Sequence, residues 1–377
     1  MKIELTPQQQ QAKAEFKAFT DRQVVPNARQ FDQEERIPAE LIEQLAQKKY
    51  LGAVIPQENG GGGMDMVTFG LLNEQVGRGC SSVRSLLTVQ SMVASAILRW
   101  GRPHQKELWL SRLATGQVIG AFALTEPGTG SDAKSIETTA VQQGDVYVLN
   151  GEKKWITFGQ IAGLFLVFAQ CDGKPIAFLI EGDRPGLEIE PQGGLLGTRA
   201  SMLAEIHLDA CQVPQENRIG GLGFGFAAVA LTALDLGRYS VATGCVGIGQ
   251  ACLDASLQYT SERKQFGAPL KEHQLVREMV ANMVTQVKAA RLLCYRAGYL
   301  KDIGDPTSTA ETLVAKYFAS TMAMRIASDA VQIHGANGCG SEYPVQRYLR
   351  DAKIMEIIEG SNQMQQLMIS KNAYLEI

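Results

Sequence analysis

Apolar residues change their spacing twice along this chain. From Pro7 to Val25 they fall at Ala12, Phe16, Phe19 and Val24, close to the period of a helix. Leu41, Ile42, Leu45 and Ala46 continue that spacing after Ile37-Pro38, and helical stretches follow at 66–76, 85–100 and 105–115. Between them Ile55 to Gly63, with four successive glycines, reads as a loop. Near Val118 the texture becomes short apolar runs bounded by turn residues. Runs at 145–149 and 154–157 flank Asn150-Gly151, and runs at 164–168 and 176–180 flank Asp172-Gly173, which predicts two hairpins. Runs at 187–190 and 204–208 add two strands. After Gly225 the helical period returns, with long helices expected over 226–262, 272–301 and 307–334 and a shorter pair broken near Gly360. The order predicts an α+β chain: an N-terminal α-helical domain (1–119), a middle antiparallel β-domain (120–225) and a C-terminal helical bundle (226–377). The two helical ends are expected to pack together with the β-domain inserted between them.

Composition narrows the function without naming it. The 377 residues are 45% hydrophobic and 20% charged, which suits buried cores and excludes disorder. Lys plus Arg (36) nearly balances Asp plus Glu (39), and no basic block argues for nucleic acid as a partner. Seven scattered cysteines without a C-x-x-C pair read as reduced thiols of a cytoplasmic protein. Four histidines, none in an H-E-x-x-H pair, predict no metal site. No apolar run reaches the roughly 18 residues of a membrane span, and the N-terminus lacks a signal-peptide core.

Four segments are candidates for chemistry. Phe122 to Asp132 is crowded with small and hydroxyl residues: Gly128 and Gly130 let backbone amides approach an anion, and Thr125 and Ser131 supply short donors. An ordinary Gly/Pro turn is the competing reading. Trp155 and Thr157, two apart on one strand, would face the same side and flank a flat heterocycle, or simply half-bury a Trp on the sheet. Arg263 and Gln265 end a long helix, where they would bind a phosphate or merely complement the helix dipole. Glu359 lies between Ile357, Ile358 and Gly360; burial there would raise its pKa and make it a better base near neutral pH, whereas a surface carboxylate is the plainer alternative.

Taken in order, eight segments resemble the acyl-CoA dehydrogenase family across almost the whole chain. They are Ile-Pro-Gln-Glu-Asn-Gly-Gly (55–61), Thr-Glu-Pro-Gly-Thr-Gly-Ser-Asp (125–132), Gly-Glu-Lys-Lys-Trp-Ile-Thr (151–157), Arg-Lys-Gln-Phe-Gly (263–267), Gln-Ile-His-Gly (332–335), Glu-Tyr-Pro-Val (342–345), Arg-Asp-Ala-Lys-Ile (350–354) and Ile-Glu-Gly-Ser (358–361). The resemblance implies the family fold, with a C-terminal four-helix bundle, non-covalent FAD and a homotetramer or homodimer. It implies that Phe122, Leu124, Thr125, Gly130 and Ser131 bind the flavin ring and pyrophosphate, and that Trp155 and Thr157 cover the ring's other side. Arg263, Gln265, Phe266, Gln332 and Gly335 would reach FAD across a subunit interface, and Ser361 and Gln363 would contact its adenosine half. Glu359 matches the base that takes the substrate α-proton while a hydride goes to flavin N5. Members that carry the base on the first long C-terminal helix would place it at Gly237, which cannot serve. Ile358, where many members have Tyr, and Ala336, where Gly is usual, depart from the pattern.

Within the family, Cys80 to Thr88, Gly237 to Ile248 and Met355 to Ser361 look most similar to the acyl-carrier-protein-linked dehydrogenases of methoxymalonyl (hydroxymalonyl) extender-unit biosynthesis. That likeness implies a short polar acyl group, with Glu359 taking a proton from a hydroxyl or aldehyde hydrate. Arg84 would suit such a group, unless it is simply an exposed residue at a helix start. Arg238 and Gly360 are further candidate substrate contacts. An ordinary short-chain acyl-CoA dehydrogenase is the alternative. The resemblance also implies an electron acceptor as a partner.

Overall fold

A computed structural model describes residues 4–375. Six helices come first: α1 (Pro7–Phe19), α2 (Ala28–Glu34), α3 (Ala39–Gln47), α4 (Met66–Gly79), α5 (Ser81–Trp100) and α6 (Pro103–Ala114). Local chemistry sets their starts. Thr6 and Gln9 form a capping box ahead of α1, and the Asp65 carboxylate accepts the Thr68 N–H at α4.

Eight strands follow, β1 (Gly120–Ala123), β2 (Thr139–Gln143), β3 (Val146–Ile156), β4 (Leu164–Cys171), β5 (Lys174–Glu181), β6 (Leu187–Pro191), β7 (Ala204–Pro214) and β8 (Arg218–Ile219). They form one sheet ordered β6-β7-β3-β2-β4-β5-β8, with β1 also on β4. The Asp172-Gly173 hairpin forms as expected, both residues at positive φ, and joins β4 to β5. The Asn150-Gly151 hairpin does not form. β3 runs straight through it, and the pair makes a bulge opposite β7, where the Asn150 side chain accepts the Ala210 N–H. The partner of β3 on its other side is β2, which has only Ala140 buried and so gave no apolar signal. The β-domain is also not purely antiparallel, because β1 and β2 both pair with β4 in parallel.

The last segment holds α7 (Leu231–Glu262), a two-residue hairpin of β9 (Lys264–Gln265) and β10 (Ala268–Pro269), α8 (Gln274–Asp302), α9 (Ser308–His334), α10 (Ala336–Cys339), α11 (Val345–Met355) and α12 (Asn362–Leu375). Phe16, Leu41, Phe69 and Leu86 share one buried core with Tyr239, Met283, Met322 and Met355, so both chain ends do build one helical body. A second core joins α5 and α6 to Leu164, Leu166 and Phe168, while Phe165, Val167 and Ala169 enter a third beneath the sheet. Strand β4 is therefore buried on both faces, which is why it reads as a continuous apolar run.

No helix among the described residues is long and apolar enough to cross a membrane. The cysteines are free thiols, Cys339 exposed and the others buried.

Candidate active site

The turn between α11 and α12 carries Glu359. Glu359 and Gly360 both adopt left-handed backbone, at φ 56° and 87°. That conformation costs an L-residue roughly 1–2 kcal/mol, so the surroundings must impose it. They do so through the two carbonyls. The Glu359 carbonyl accepts from Arg238 Nε (3.1 Å) and Gln365 Nε2 (3.2 Å), and the Gly360 carbonyl accepts from Gln365 Nε2 (2.9 Å) and Lys316 Nζ (3.0 Å). Arg238 and Gly360 thus belong to the frame of the turn.

The residue as a whole is only half-buried, but its carboxylate Oε2 is sealed and has no hydrogen-bond partner among the described residues. Beneath it lies Gly237 of α7; a Cβ there would overlap Oε2 and come within 2.8 Å of Met92 Sδ. Burial pushes the Glu359 carboxyl up to about 7, against the opposing charges of Arg238, Arg84 and Lys316. A carboxylate poised near neutrality, with an unpartnered oxygen in an apolar gap, is equipped to accept a proton.

Arg84 is not an exposed residue at a helix start. Helix α5 begins at Ser81, and Arg84 is 1% exposed. Its guanidinium donates to Thr88 Oγ1 (2.8 Å) and Ser85 Oγ (3.1 Å), while Nε has no partner. No carboxylate of the described residues lies within salt-bridge distance of it, and burial pulls its pKa down. Gly244 makes room for it, since a Cβ there would stand 2.5 Å from Arg84 Cδ. Gly237 and Gly244 are two turns apart on α7, so Glu359 and Arg84 stand over one helix face about 10 Å apart along its axis. Between them Thr88 Oγ1 meets Ser240 Oγ at 2.6 Å.

The candidate flavin loop is open on its outer side. A Cβ at Gly128 or Gly130 would meet nothing within 4 Å. Leu124 is buried, Phe122 and Thr125 are half-buried, and Ser131 is exposed. The Lys154 N–H donates to the Thr125 carbonyl, bringing Trp155 and Thr157 beside the loop. These two do not share a strand face as the simple alternation predicts. The strand is irregular between Lys153 and Ile156, Trp155 takes φ 63°, and Thr157 lies in the turn beyond β3. The result leaves Trp155 51% exposed. An exposed flat ring beside an open glycine loop fits a heterocycle and its phosphates.

A second cluster forms at the end of α7. Arg263, Gln265 and Gly335 line one shallow pocket with Tyr259, His334 and Asn337. The His334 and Tyr259 rings stack at 4.2 Å. Phe266 stands at the hairpin tip, 97% exposed, and Gln332 is exposed on the last turn of α9. Ser361 Oγ accepts the Met364 N–H at the start of α12, where Gln363 is exposed.

Sequence reasoning missed two buried lysines. Lys153, fully buried on β3, donates to Glu126 (2.6 Å) and to the Leu124 carbonyl (3.3 Å). Burial works to raise the Glu126 carboxyl, but hydrogen bonds from the Glu137 N–H, Lys153 and Thr138 outweigh it and hold it low. This pair pins the candidate flavin loop to the sheet. Lys316 is the other. Lys153 lies between the charged residues Glu152 and Lys154, which hide its burial, whereas Lys316 stands in the apolar run Leu313 to Phe318, the one local signal that could have found it.

Models of the acyl-CoA dehydrogenase N-terminal, middle and C-terminal domains match residues 6–117, 121–211 and 223–374. The rat mitochondrial short-chain specific acyl-CoA dehydrogenase is 38% identical, over 98% of this chain and 90% of its own. The solved butyryl-CoA dehydrogenase of Megasphaera elsdenii is 36% identical, with a TM-score of 0.95 and full coverage of both chains. FkbI, described as serving biosynthesis of the methoxymalonyl extender unit of the Fk520 polyketide, is 32% identical, with a TM-score of 0.88 over 96% of this chain and 99% of its own. Matched from end to end in sequence and in fold, the chain belongs to the acyl-CoA dehydrogenase family and is an FAD-dependent oxidoreductase.

Proposed function

We propose that this enzyme oxidises a short, polar acyl group held as a thioester on an acyl carrier protein, with Glu359 as the base. One observation carries the polar end of this reading: Arg84 is buried without an acid partner against the face of α7 on which the Glu359 carboxylate also packs. A buried cation of this kind is costly unless something completes its hydrogen bonding. A hydroxyl or carboxylate oxygen of the acyl group supplies the missing acceptor. The carrier-protein half rests on the likeness of segments 80–88, 237–248 and 355–361 to the extender-unit branch, and FkbI stands as a relative.

Glu359 acts through position and pKa. Its carboxylate takes a proton from the substrate carbon or hydroxyl, and the three nearby cations stabilise the carboxylate that must first be free. The loop at 122–131, Trp155 and Thr157 hold the flavin end of FAD, Ser361 and Gln363 contact its adenosine half, and Arg263, Gln265, Phe266, Gln332 and Gly335 reach it from a neighbouring subunit of a homotetramer or homodimer. FAD supplies the two-electron acceptor. The protein's share is to orient the acyl chain between α5 and α7 and to keep water from the base.

A second reading has its own support. The rat and Megasphaera relatives act on short-chain and butyryl-CoA by name, and both are more similar in sequence than FkbI. Mixing the FAD-loaded enzyme anaerobically with butyryl-CoA and with glyceryl-loaded carrier protein separates the two. Bleaching of the oxidised-flavin band by the carrier substrate is expected; bleaching by butyryl-CoA alone reverses the assignment. Arg84→Leu should cut turnover of the polar substrate at least tenfold with FAD content unchanged, and equal turnover removes Arg84 from the substrate site.

A further inference from the structure

Lys316 sits on α9 with no exposed surface at all. Its ammonium donates to the Gly360 carbonyl (3.0 Å) and to Asn362 Oδ1 (3.1 Å). Ser320, one turn further along α9, donates to the same Asn362 oxygen at 2.7 Å. No carboxylate of the described residues lies within salt-bridge distance of Lys316. A buried ammonium without a counter-ion in contact is expensive, so its position calls for a reason beyond packing.

What the ammonium touches is the turn that carries Glu359. We propose that Lys316 is a positioning residue for the base: it fixes the left-handed turn at Glu359 and Gly360 from the bundle side and places a positive charge beneath the carboxylate. This inference rests on the reading of Glu359 as the base. Arg238 from α7 and Gln365 from α12 hold the same turn from other sides, so three helices converge on two peptide carbonyls. Without Lys316 the Gly360 carbonyl keeps only Gln365, and Asn362 Oδ1 keeps only Ser320. The turn then loses its register over the gap at Gly237. A misplacement of about 1 Å at a reacting group costs on the order of a hundredfold in rate.

The electrostatic share has a definite sign. Facing the Glu359 carboxylate are Arg238 from α7, Arg84 from α5 and Lys316 from α9. Facing Lys316 are Cys245 from α7, Glu359 and Glu356 from the turn, and Arg238. Burial lowers the Lys316 pKa to about 8, so it is largely protonated where Glu359 ionises. Removing it takes away one of three charges that favour the carboxylate, and the Glu359 pKa moves up.

The test compares FAD-loaded Lys316→Met, Lys316→Gln and Glu359→Gln with wild type. Lys316→Met should retain flavin and fold, lose at least tenfold in kcat, keep KM within about twofold, and shift the acid limb of kcat/KM up by about one pH unit. Lys316→Gln should recover part of kcat through its amide donor while its acid limb stays shifted. An unmoved acid limb in a folded Lys316→Met enzyme overturns the proposal, whatever happens to kcat. So does failure of both lysine variants to fold and hold FAD, which would make Lys316 a core residue only. Wild-type turnover by Glu359→Gln would instead overturn the base assignment itself, independently of either lysine variant.

Discussion

Replacing Glu359 by Gln should stabilise this protein by an amount that grows with pH. The carboxyl titrates at about 7 in the folded chain against 4.5 when free, because burial penalises its charge. Between those values the folded state keeps a proton that the unfolded state has lost, so stability falls as pH rises. The full contribution is present below about 4.5 and is gone once the pH has passed about 7. Each pH unit in that window is worth about 1.4 kcal/mol, so an ionised Glu359 costs the fold about 3 kcal/mol. Between pH 5.5 and 8.5 the change is about 2 kcal/mol. Glu359→Gln has no proton to lose and should lack this slope. The assay is denaturant unfolding of both proteins, saturated with FAD, at pH 5.5, 7 and 8.5. Any constant offset from the amide's own hydrogen bonding cancels when the wild-type-to-variant difference is compared across pH. A gap that widens by about 2 kcal/mol toward high pH is expected; a gap that stays flat refutes the buried, high-pKa carboxyl on which the base assignment stands.

Activity and the remaining packing supply further tests. Wild-type kcat/KM should rise with pH through about 7 as Glu359 ionises, and a profile already flat at pH 5 contradicts a base held near neutrality. Gly237→Ala places a methyl where Glu359 Oε2 and Met92 Sδ now lie; kcat should fall about 10–100-fold with FAD content unchanged, measured by steady-state turnover and flavin absorbance. Lys153→Met leaves Glu126 buried without its cation and should cost about 3–5 kcal/mol, together with FAD retention; an unchanged melting temperature would show that the pair is not structural.

Much of the fold was legible because the chain alternates between two clear periods. The long helices of the last segment lie within a few residues of their expected ends, and Gly360 does mark the break before α12. Failures have local causes. Asn150-Gly151 carries the usual signal for a hairpin turn, but Gly151 at φ 148° lets the strand continue through a bulge, and Asn150 is spent on β7. The first turn of α5, ahead of the expected start at Ser85, carries no apolar stripe because Ser81, Ser82 and Arg84 are polar yet buried. Lys153 is hidden likewise, and Lys316 shows only through its apolar run. What holds a buried lysine is read from what three-dimensional packing puts around it: a carboxylate from a distant loop in one case, peptide carbonyls from a distant turn in the other.

Glu359 shows why the site is harder to read than the fold. Its apolar neighbours in sequence suggested burial, yet Ile357 is exposed and Ile358 only half-buried. The carboxylate is sealed from elsewhere, by the face of α7 at Gly237 and by Met92 of α5. In the sequence Gly237 marks only the place where an alternative base is missing. In the fold it is also the space into which the carboxylate at 359 projects. A side chain at 237 and a carboxylate reaching in from 359 compete for one volume, so the two positions for a base exclude each other sterically. The absence at 237 therefore does more than remove a rival: it is a condition for the Glu359 carboxylate to occupy its place against α7. Arg84 obeys the same logic one heptad along, where Gly244 gives up the space its side chain fills. Two small residues on one helix thus set where the Glu359 carboxylate and the Arg84 side chain stand, about two turns apart, and under the proposed function that spacing separates the base from the polar end of the acyl group.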